Sequence, residues 1–134
     1  MGNGIAQTAA AAGFDVLMCD VSADFVARGI ANIGKSLDRF VKKETMTAEQ
    51  KDEILGRIRS TIELEDLAKC SLIVEAATEN FDIKKQIFQR LDTICDPATI
   101  LSSNTSSISI TKIAGVTHRP DKVIGMHFFN PVPL

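Results

Sequence analysis

The chain contains no tryptophan and no tyrosine, and its 134 residues include only three cysteines and two histidines. Without Trp or Tyr to stack on bases, and with 15 basic residues against 17 acidic ones, the sequence gives little support to general nucleic-acid binding. The cysteines are widely spaced and form no Cys-x-x-Cys or Cys/His cluster, so we expect no metal site and reduced, cytosolic thiols.

Long apolar runs are also absent. No run approaches the roughly 20 residues that would span a bilayer, and the first residues lack the basic start and apolar middle of a secretion signal. Ala6 stands where an N-myristoylation site would need Ser or Thr. We therefore expect a cytoplasmic protein with no membrane partner, and a length of 134 residues suits one compact domain.

Helical and strand patterns alternate along the chain. An alanine-rich opening helix ends at Gly13, and later helices are predicted after Ser22, after the capping-box sequence that begins at Thr47, and over 82–95. Short apolar runs predict strands at 15–20, 61–63, 71–76, 99–102 and 122–127. This order is typical of an α/β fold with a doubly wound parallel sheet, in which ligands bind at the carboxyl ends of the strands.

Helical spacing also predicts which side chains face the core. We expect inward-facing residues at three- and four-residue steps in the last two of these helices. For the helix after Thr47 they are Ile54, Leu55 and Ile58, and for the helix over 82–95 they are Ile83, Ile87, Leu91 and Ile94.

Polar residues follow several predicted strands. Asp20 stands where an acid binds the ribose hydroxyls of an adenine nucleotide, although an acid at the end of a strand is common by chance. Gly2 can only be the last glycine of a G-x-G-x-x-G turn, because the chain has no strand and no further glycines ahead of it. Alone, Gly2 is equally compatible with any loop that enters a helix.

Two later segments carry groups suited to catalysis. The run 103–107 holds five hydroxyl or amide side chains, which could bind a substrate oxygen or a nicotinamide amide, or cap the helix expected over 108–114. His127 follows the next strand, and imidazole is the side chain whose ordinary pKa suits proton exchange near neutral pH. A lone histidine is more often structural, so its functional interpretation depends on these neighbours.

Three motifs resemble one family. The segments VEAATEN (74–80), SNTSSISIT (103–111) and GMHFFNPVP (125–133) are similar to those of the 3-hydroxyacyl-CoA dehydrogenases, and most similar to the bacterial 3-hydroxybutyryl-CoA type. The resemblance runs from Met1 to Leu134. It implies a Rossmann-like NAD-binding domain, followed in the family by a helical domain that completes the substrate site and the homodimer.

The resemblance also implies roles for single residues. His127 matches the catalytic base that takes the proton from the 3-hydroxyl, and Ser106 matches the serine that hydrogen-bonds the substrate's C3 oxygen. The other matching positions are Asp20 at the adenine ribose, Glu79, Lys84, Asn104 and Asn130 near the nicotinamide half of NAD, and Ser36 and Lys43 at coenzyme A. The last two lie on a basic helix face that could equally be a solvated surface.

The chain departs from the family pattern at both ends. It lacks the family's first strand and the first two glycines, and it stops before the acidic partner of the histidine and before the helical domain. We therefore expect a fragment, 1–134, of the NAD-binding domain that alone binds NAD poorly and turns over little. The parent enzyme is expected to oxidise (S)-3-hydroxyacyl-CoA with NAD in fatty-acid or butanoate metabolism. A related sugar-acid dehydrogenase, a bifunctional hydratase/dehydrogenase and a non-catalytic nucleotide- or CoA-binding fragment remain alternatives.

Overall fold

The computed structural model describes residues 1–134 and has an α/β architecture in which every strand pair is parallel. Two short 3-10 helices, Leu64–Leu67 and Pro120–Lys122, supplement the main elements. In chain order the main elements are α1 Gly2–Ala11, β1 Val16–Cys19, α2 Ala23–Lys42, α3 Ala48–Gly56, β2 Ile58–Thr61, β3 Leu72–Glu75, α4 Phe81–Ile94, β4 Ile100–Ser103, α5 Ile110–Ala114 and β5 Val123–Gly125.

The strands form two sheets. One contains β1 and β2, and the other has the order β3-β4-β5. The sequence predicted a parallel α/β fold, and this strand arrangement agrees with that prediction. None of the helices combines the length and the apolar character that crossing a membrane would need.

The chain divides into two compact units. Unit 1 consists of residues 1–63 and 130–134, and unit 2 of residues 64–129. In unit 1 the small side chains of α1 pack closely against α2 and α3, and the buried core comprises Ala6, Ala10, Ile33, Leu37, Ile54 and Ile58. In unit 2 α5 packs against β5 and α4, and the buried core includes Ile73, Phe88, Leu91, Leu101, Ile113 and Val123.

The predicted helix caps and the predicted helix end, which depend on neighbouring residues, are confirmed. Ser22 Oγ accepts a hydrogen bond from Phe25 N and begins α2. Thr47 and Gln50 form the expected reciprocal capping box of α3. Gly13 follows α1 with φ +96°, a backbone conformation that glycine adopts without steric cost.

Two predictions of side-chain placement are wrong. Ile58 was expected on the α3 helix, but α3 ends at Gly56 and Ile58 starts β2. The strand predicted at 61–63 therefore lies earlier in the chain. The inward face of α4 is rotated, because Ile83 is 42% exposed and Lys84 is buried in its place. The strand β1 is half-buried along its length.

Candidate active site and nucleotide-binding residues

The carboxyl ends of β3, β4 and β5 bring the polar loops of unit 2 to one edge. Beyond the strands, Asn104 N donates to Glu75 O at 2.9 Å, and Met126 N donates to Ser103 O at 2.9 Å. These bonds continue the parallel pairing by one residue on each side. As a result, the segments that begin at Asn104 and at Met126 leave the sheet at the same end.

A side-chain bond links these two segments beside His127. Asn104 Oδ1 accepts a hydrogen bond from Phe128 N at 2.7 Å. The His127 ring is exposed and contacts the ring of Phe129, with 5.0 Å between centroids and a tilt of 48°. Ser106 is also exposed, two residues after Asn104. The loops that carry Asn104, Ser106 and His127 thus leave the sheet at the same end.

Glu79 is held by the hydroxyl groups on either side of Ser106. Its Oε2 accepts hydrogen bonds from Ser107 Oγ at 2.6 Å and from Thr105 Oγ1 at 2.8 Å. These two bonds, the one from Ser107 first, lower the pKa of Glu79 below its usual 4.5 against the opposing effect of desolvation, and the Lys84 charge lowers it further. The carboxylate therefore stays ionised and fixes the backbone turn that carries Ser106.

Lys84 lies beneath this loop rather than at its surface. Its side chain is 1% exposed, and its Nζ donates to Glu75 Oε2 at 2.7 Å and to Glu75 Oε1 at 2.8 Å. Ser103 Oγ donates to the same Glu75 carboxylate at 2.6 Å, and Glu79 Oε1 lies 3.8 Å from Nζ. A buried lysine requires such partners, because an unpaired charge is costly in the interior. Glu75, which ends a strand otherwise made of apolar residues, was not predicted from the sequence.

In unit 1 the start of α1 and the end of β1 supply groups that suit a dinucleotide. No side chain caps the N-terminus of α1, so the first backbone N–H groups after Gly2 are available to an anion. The tight turn after α1 makes the helix antiparallel to β1, which places Asp20, at the end of the strand, on the same side as the helix N-terminus. Asp20 is exposed, and its Oδ1 accepts a bond from Val21 N at 2.7 Å.

The predicted coenzyme A residues lie at different places on α2. Ser36 is half-buried and lines a cavity of about 140 Å³ within unit 1, whose wall also includes Asn130. Lys43 follows the last residue of the helix, where its exposed side chain lies outside that lining. Gln7, which was not predicted from the sequence as a site residue, also lines this cavity. No group of three or more His, Cys, Asp and Glu side chains that could hold a metal ion is present.

Comparisons with known proteins agree with these features. Residues 1–134 match the family described as 3-hydroxyacyl-CoA dehydrogenase, NAD binding domain. A 3-hydroxybutyryl-CoA dehydrogenase from Bradyrhizobium diazoefficiens is 50% identical over the whole chain, which covers 46% of that relative. The 3-hydroxyadipyl-CoA dehydrogenase of Escherichia coli is 42% identical, again over 100% of this chain but over 28% of its own length.

Solved structures give the same result. The crystal structure of (S)-3-hydroxybutyryl-CoA dehydrogenase from Ralstonia eutropha has a TM-score of 0.98 and 50% identity to this chain. The match covers 100% of this chain and 47% of that structure. The chain thus spans about half the length of the Bradyrhizobium and Ralstonia relatives.

Proposed function

Because this chain belongs to the NAD-binding domain family of the 3-hydroxyacyl-CoA dehydrogenases, we propose that its protein oxidises the 3-hydroxyl of an (S)-3-hydroxyacyl-CoA to a ketone. The proposed substrate is 3-hydroxybutyryl-CoA, since that activity is named for the Bradyrhizobium relative. The Escherichia coli relative is named for a longer, dicarboxylic acyl group, so acyl length is the least constrained part of the proposal.

One observation carries this proposal. The loop that bears Ser106 and the loop that bears His127 leave neighbouring strands at the same edge, and the bond from Phe128 N to Asn104 Oδ1 joins them. Deprotonating an alcohol requires a base such as imidazole within hydrogen-bond reach, and a neighbouring hydroxyl can hold the same oxygen in place. The non-catalytic alternative, a nucleotide- or CoA-binding fragment, gives no reason for tying these two loops together.

The proposed mechanism assigns each group a simple task. His127, through a ring nitrogen, takes the proton of the substrate's 3-hydroxyl, and Ser106 hydrogen-bonds the same oxygen so that it faces the imidazole. NAD, when bound, accepts the hydride from the hydroxyl carbon. Glu79 keeps the loop of Ser106 in place through Ser107 and Thr105, and Asn104 keeps the loop of His127 in place.

The residues present fit an NAD cofactor. The uncapped start of α1 suits the pyrophosphate, and the Asp20 carboxylate suits the hydroxyls of the adenine ribose and repels a 2′-phosphate. Glu79, Asn104 and Asn130 are the proposed contacts to the nicotinamide half. Lys84 is proposed to act through Glu75 and Glu79, because its ammonium group is already bonded to Glu75 in the interior.

The coenzyme A contacts and the remaining partners are proposals of the same kind. Ser36 and Lys43 on α2 are proposed to contact the CoA moiety, Ser36 from the cavity of unit 1 and Lys43 from the exposed helix end. We propose that residues 1–134 act together with a helical domain that completes the substrate site and a homodimer. The expected cytoplasmic location stays a prediction.

A chimera tests this function. In it, the present chain replaces the matching 47% of the Ralstonia enzyme, which supplies the rest of a dehydrogenase. We expect oxidation of NADH, followed at 340 nm, with acetoacetyl-CoA but not with acetoacetate. An inactive but folded chimera that binds both ligands would favour the non-catalytic alternative, whereas turnover of sugar acids would favour the related sugar-acid dehydrogenases.

A further inference from the structure

A cavity in unit 1 contains a polar side chain that has no partner. Gln7, on α1, is 4% exposed, and its amide makes no hydrogen bond within the chain. No fully buried side-chain nitrogen or oxygen in the structure lacks a hydrogen bond. The amide of Gln7 is therefore not fully buried, and its small accessible surface opens into the cavity that Gln7 lines.

The two helices that form the cavity present matched pairs of uncharged polar residues. Asn3 and Gln7 are four residues apart on α1, and Asn32 and Ser36 are four residues apart on α2, so each pair shares one helix face. All four side chains line the same cavity. This spacing concentrates amide and hydroxyl groups at one place.

The third wall comes from the end of the chain. Residues 130–133 complete the lining, and Val132 approaches Gly4 so closely that a Cβ on Gly4 would lie 3.1 Å from Val132 Cβ. The glycine therefore allows this segment to pack on α1, and Pro131, Val132 and Pro133 give the cavity an apolar wall. A volume of about 140 Å³ is smaller than a whole nucleotide needs but holds a linear or planar amide group.

The chemistry of the lining limits what can bind. No ionisable side chain lines the cavity, so its side chains offer a phosphate or a carboxylate no countercharge. A carboxamide side chain has two hydrogen-bond donors and an acceptor oxygen, and another amide is the best complement because it can pair with the donor side and the acceptor side together. A polar group so nearly buried loses free energy unless it finds such a partner.

We propose that the Gln7 amide is a ligand-recognition group that hydrogen-bonds an uncharged amide of a bound ligand. Two ligands of the proposed reaction carry such a group. Coenzyme A has amides in its pantetheine arm, and NAD has the carboxamide of its nicotinamide. The inference relies on the proposed function only for this choice of ligands. Asn32 and Ser36 border the same ligand group, and Gln7 contributes to its affinity but takes no part in proton transfer.

Binding measurements on the chimera test the proposal directly. The Gln7 side-chain amide signal of the ¹⁵N-labelled chimera, assigned by its loss in Gln7→Met, is followed during titration with acetoacetyl-CoA or NADH. The parallel titrations use adenosine 3′,5′-bisphosphate, which lacks the pantetheine arm, and ADP-ribose, which lacks nicotinamide. We expect the signal to shift with one intact ligand and not with its shortened form, and the responding ligand identifies the source of the amide. A signal that responds to no intact ligand, or equally to the shortened form, would overturn the proposal.

Affinity in the chimera provides a second measurement. Gln7→Met keeps the side-chain length but removes the amide, and we expect the Kd of the responding ligand to rise about 3- to 10-fold, the usual effect of one uncharged hydrogen bond. The control Gln86→Met, at an exposed position of α4, should leave the Kd unchanged. If Gln7→Met does not fold, Asn32→Ala at the exposed α2 position should weaken the same ligand. Unchanged affinity in the folded variants would contradict the inference.

The outcome is separable from that of the proposed function. A shift of the Gln7 signal in a chimera that shows no turnover would support the inference and count against the dehydrogenase activity. An active chimera in which Gln7→Met binds both ligands normally would support the dehydrogenase activity and contradict the inference about Gln7.

Discussion

Asn104 Oδ1 accepts a hydrogen bond from Phe128 N at 2.7 Å, so the residue after β4 holds the backbone immediately next to His127. A direct side-chain bond of this kind fixes the position of a loop that is otherwise exposed. It connects two of the sequence motifs, SNTSSISIT and GMHFFNPVP, in one structural unit. The proposed geometry of proton transfer depends on it.

Loss of this bond should reduce turnover. In the chimera, Asn104→Ala removes the acceptor and leaves Phe128 N without it, and we expect kcat to fall about 10- to 100-fold because small displacements of a catalytic group are costly. Asn104→Asp keeps an acceptor oxygen at the same place and should recover part of that loss. An Asp variant no better than the Ala variant would show that the Phe128 bond does not set the rate.

The buried pair of Lys84 and Glu75 should contribute strongly to stability. Lys84→Met leaves the Glu75 carboxylate in the interior without its cation, and we expect a loss of about 3–5 kcal/mol in the free energy of unfolding, measured by urea denaturation. Lys85→Met, at the exposed neighbouring position, should change it little. Combining Lys84→Met with Glu75→Gln should cost less than the sum of the single changes, since both charges are removed. If the double variant lost as much stability as the two single variants together, the interaction between Lys84 and Glu75 would be refuted.

Glu79 should titrate according to its hydroxyl partners. Its lowered pKa means that the stabilisation by Ser107 and Thr105 is present above pH 4.5 and is lost as the pH falls through the folded-state value. Ser107→Ala should therefore raise the pKa of Glu79 toward 4.5, as measured by ¹³C NMR of its carboxyl group. Ser71→Ala, at an exposed position that makes no hydrogen bond to Glu79, serves as the control. An unchanged titration in Ser107→Ala would contradict this assignment.

Arg119 joins the end of α4 to the segment before β5. Its guanidinium group is largely buried and donates to Asp92 Oδ1 at 2.7 Å and to four backbone carbonyl oxygens. Arg119→Met leaves all of them without this donor, and we expect a loss of about 3–5 kcal/mol in the free energy of unfolding. The exposed Arg59→Met is the matched control. A loss no larger than that of the control would contradict the role of Arg119.

The same interaction predicts a pH dependence. Desolvation raises the pKa of Asp92, but the hydrogen bonds from His118 N and Arg119 outweigh it and leave the pKa below its usual 3.8. The stabilisation is therefore present above pH 3.8 and is lost as the pH falls through the folded-state value. In Arg119→Met the part of this acid dependence that comes from the guanidinium should disappear.

Features governed by adjacent residues could be predicted from the sequence. Ser22 and the pair Thr47 and Gln50 cap their helices because the bonds involved span three residues. The rotation of α4 could not be predicted in this way. Lys84 faces inward in place of Ile83 because Glu75, on β3, supplies a buried partner that helical periodicity does not reveal.

The candidate site shows the same division. The positions of Ser106 and His127 after strands followed from the order of helices and strands, because parallel strands end at one edge of a sheet. The bond from Phe128 N to Asn104 and the unpartnered amide of Gln7 required coordinates. Both depend on how residues distant in sequence pack, which composition and spacing do not encode.

The most direct test of the central claim is the turnover of His127→Gln in the chimera, measured together with its affinity for NADH. We predict that kcat falls about 10²- to 10⁴-fold, the usual contribution of a general base, while the Kd of NADH stays the same. The control His118→Gln, which changes the other, fully exposed histidine, should retain wild-type turnover. A His127→Gln chimera with nearly full kcat would contradict the assignment of His127 as the base.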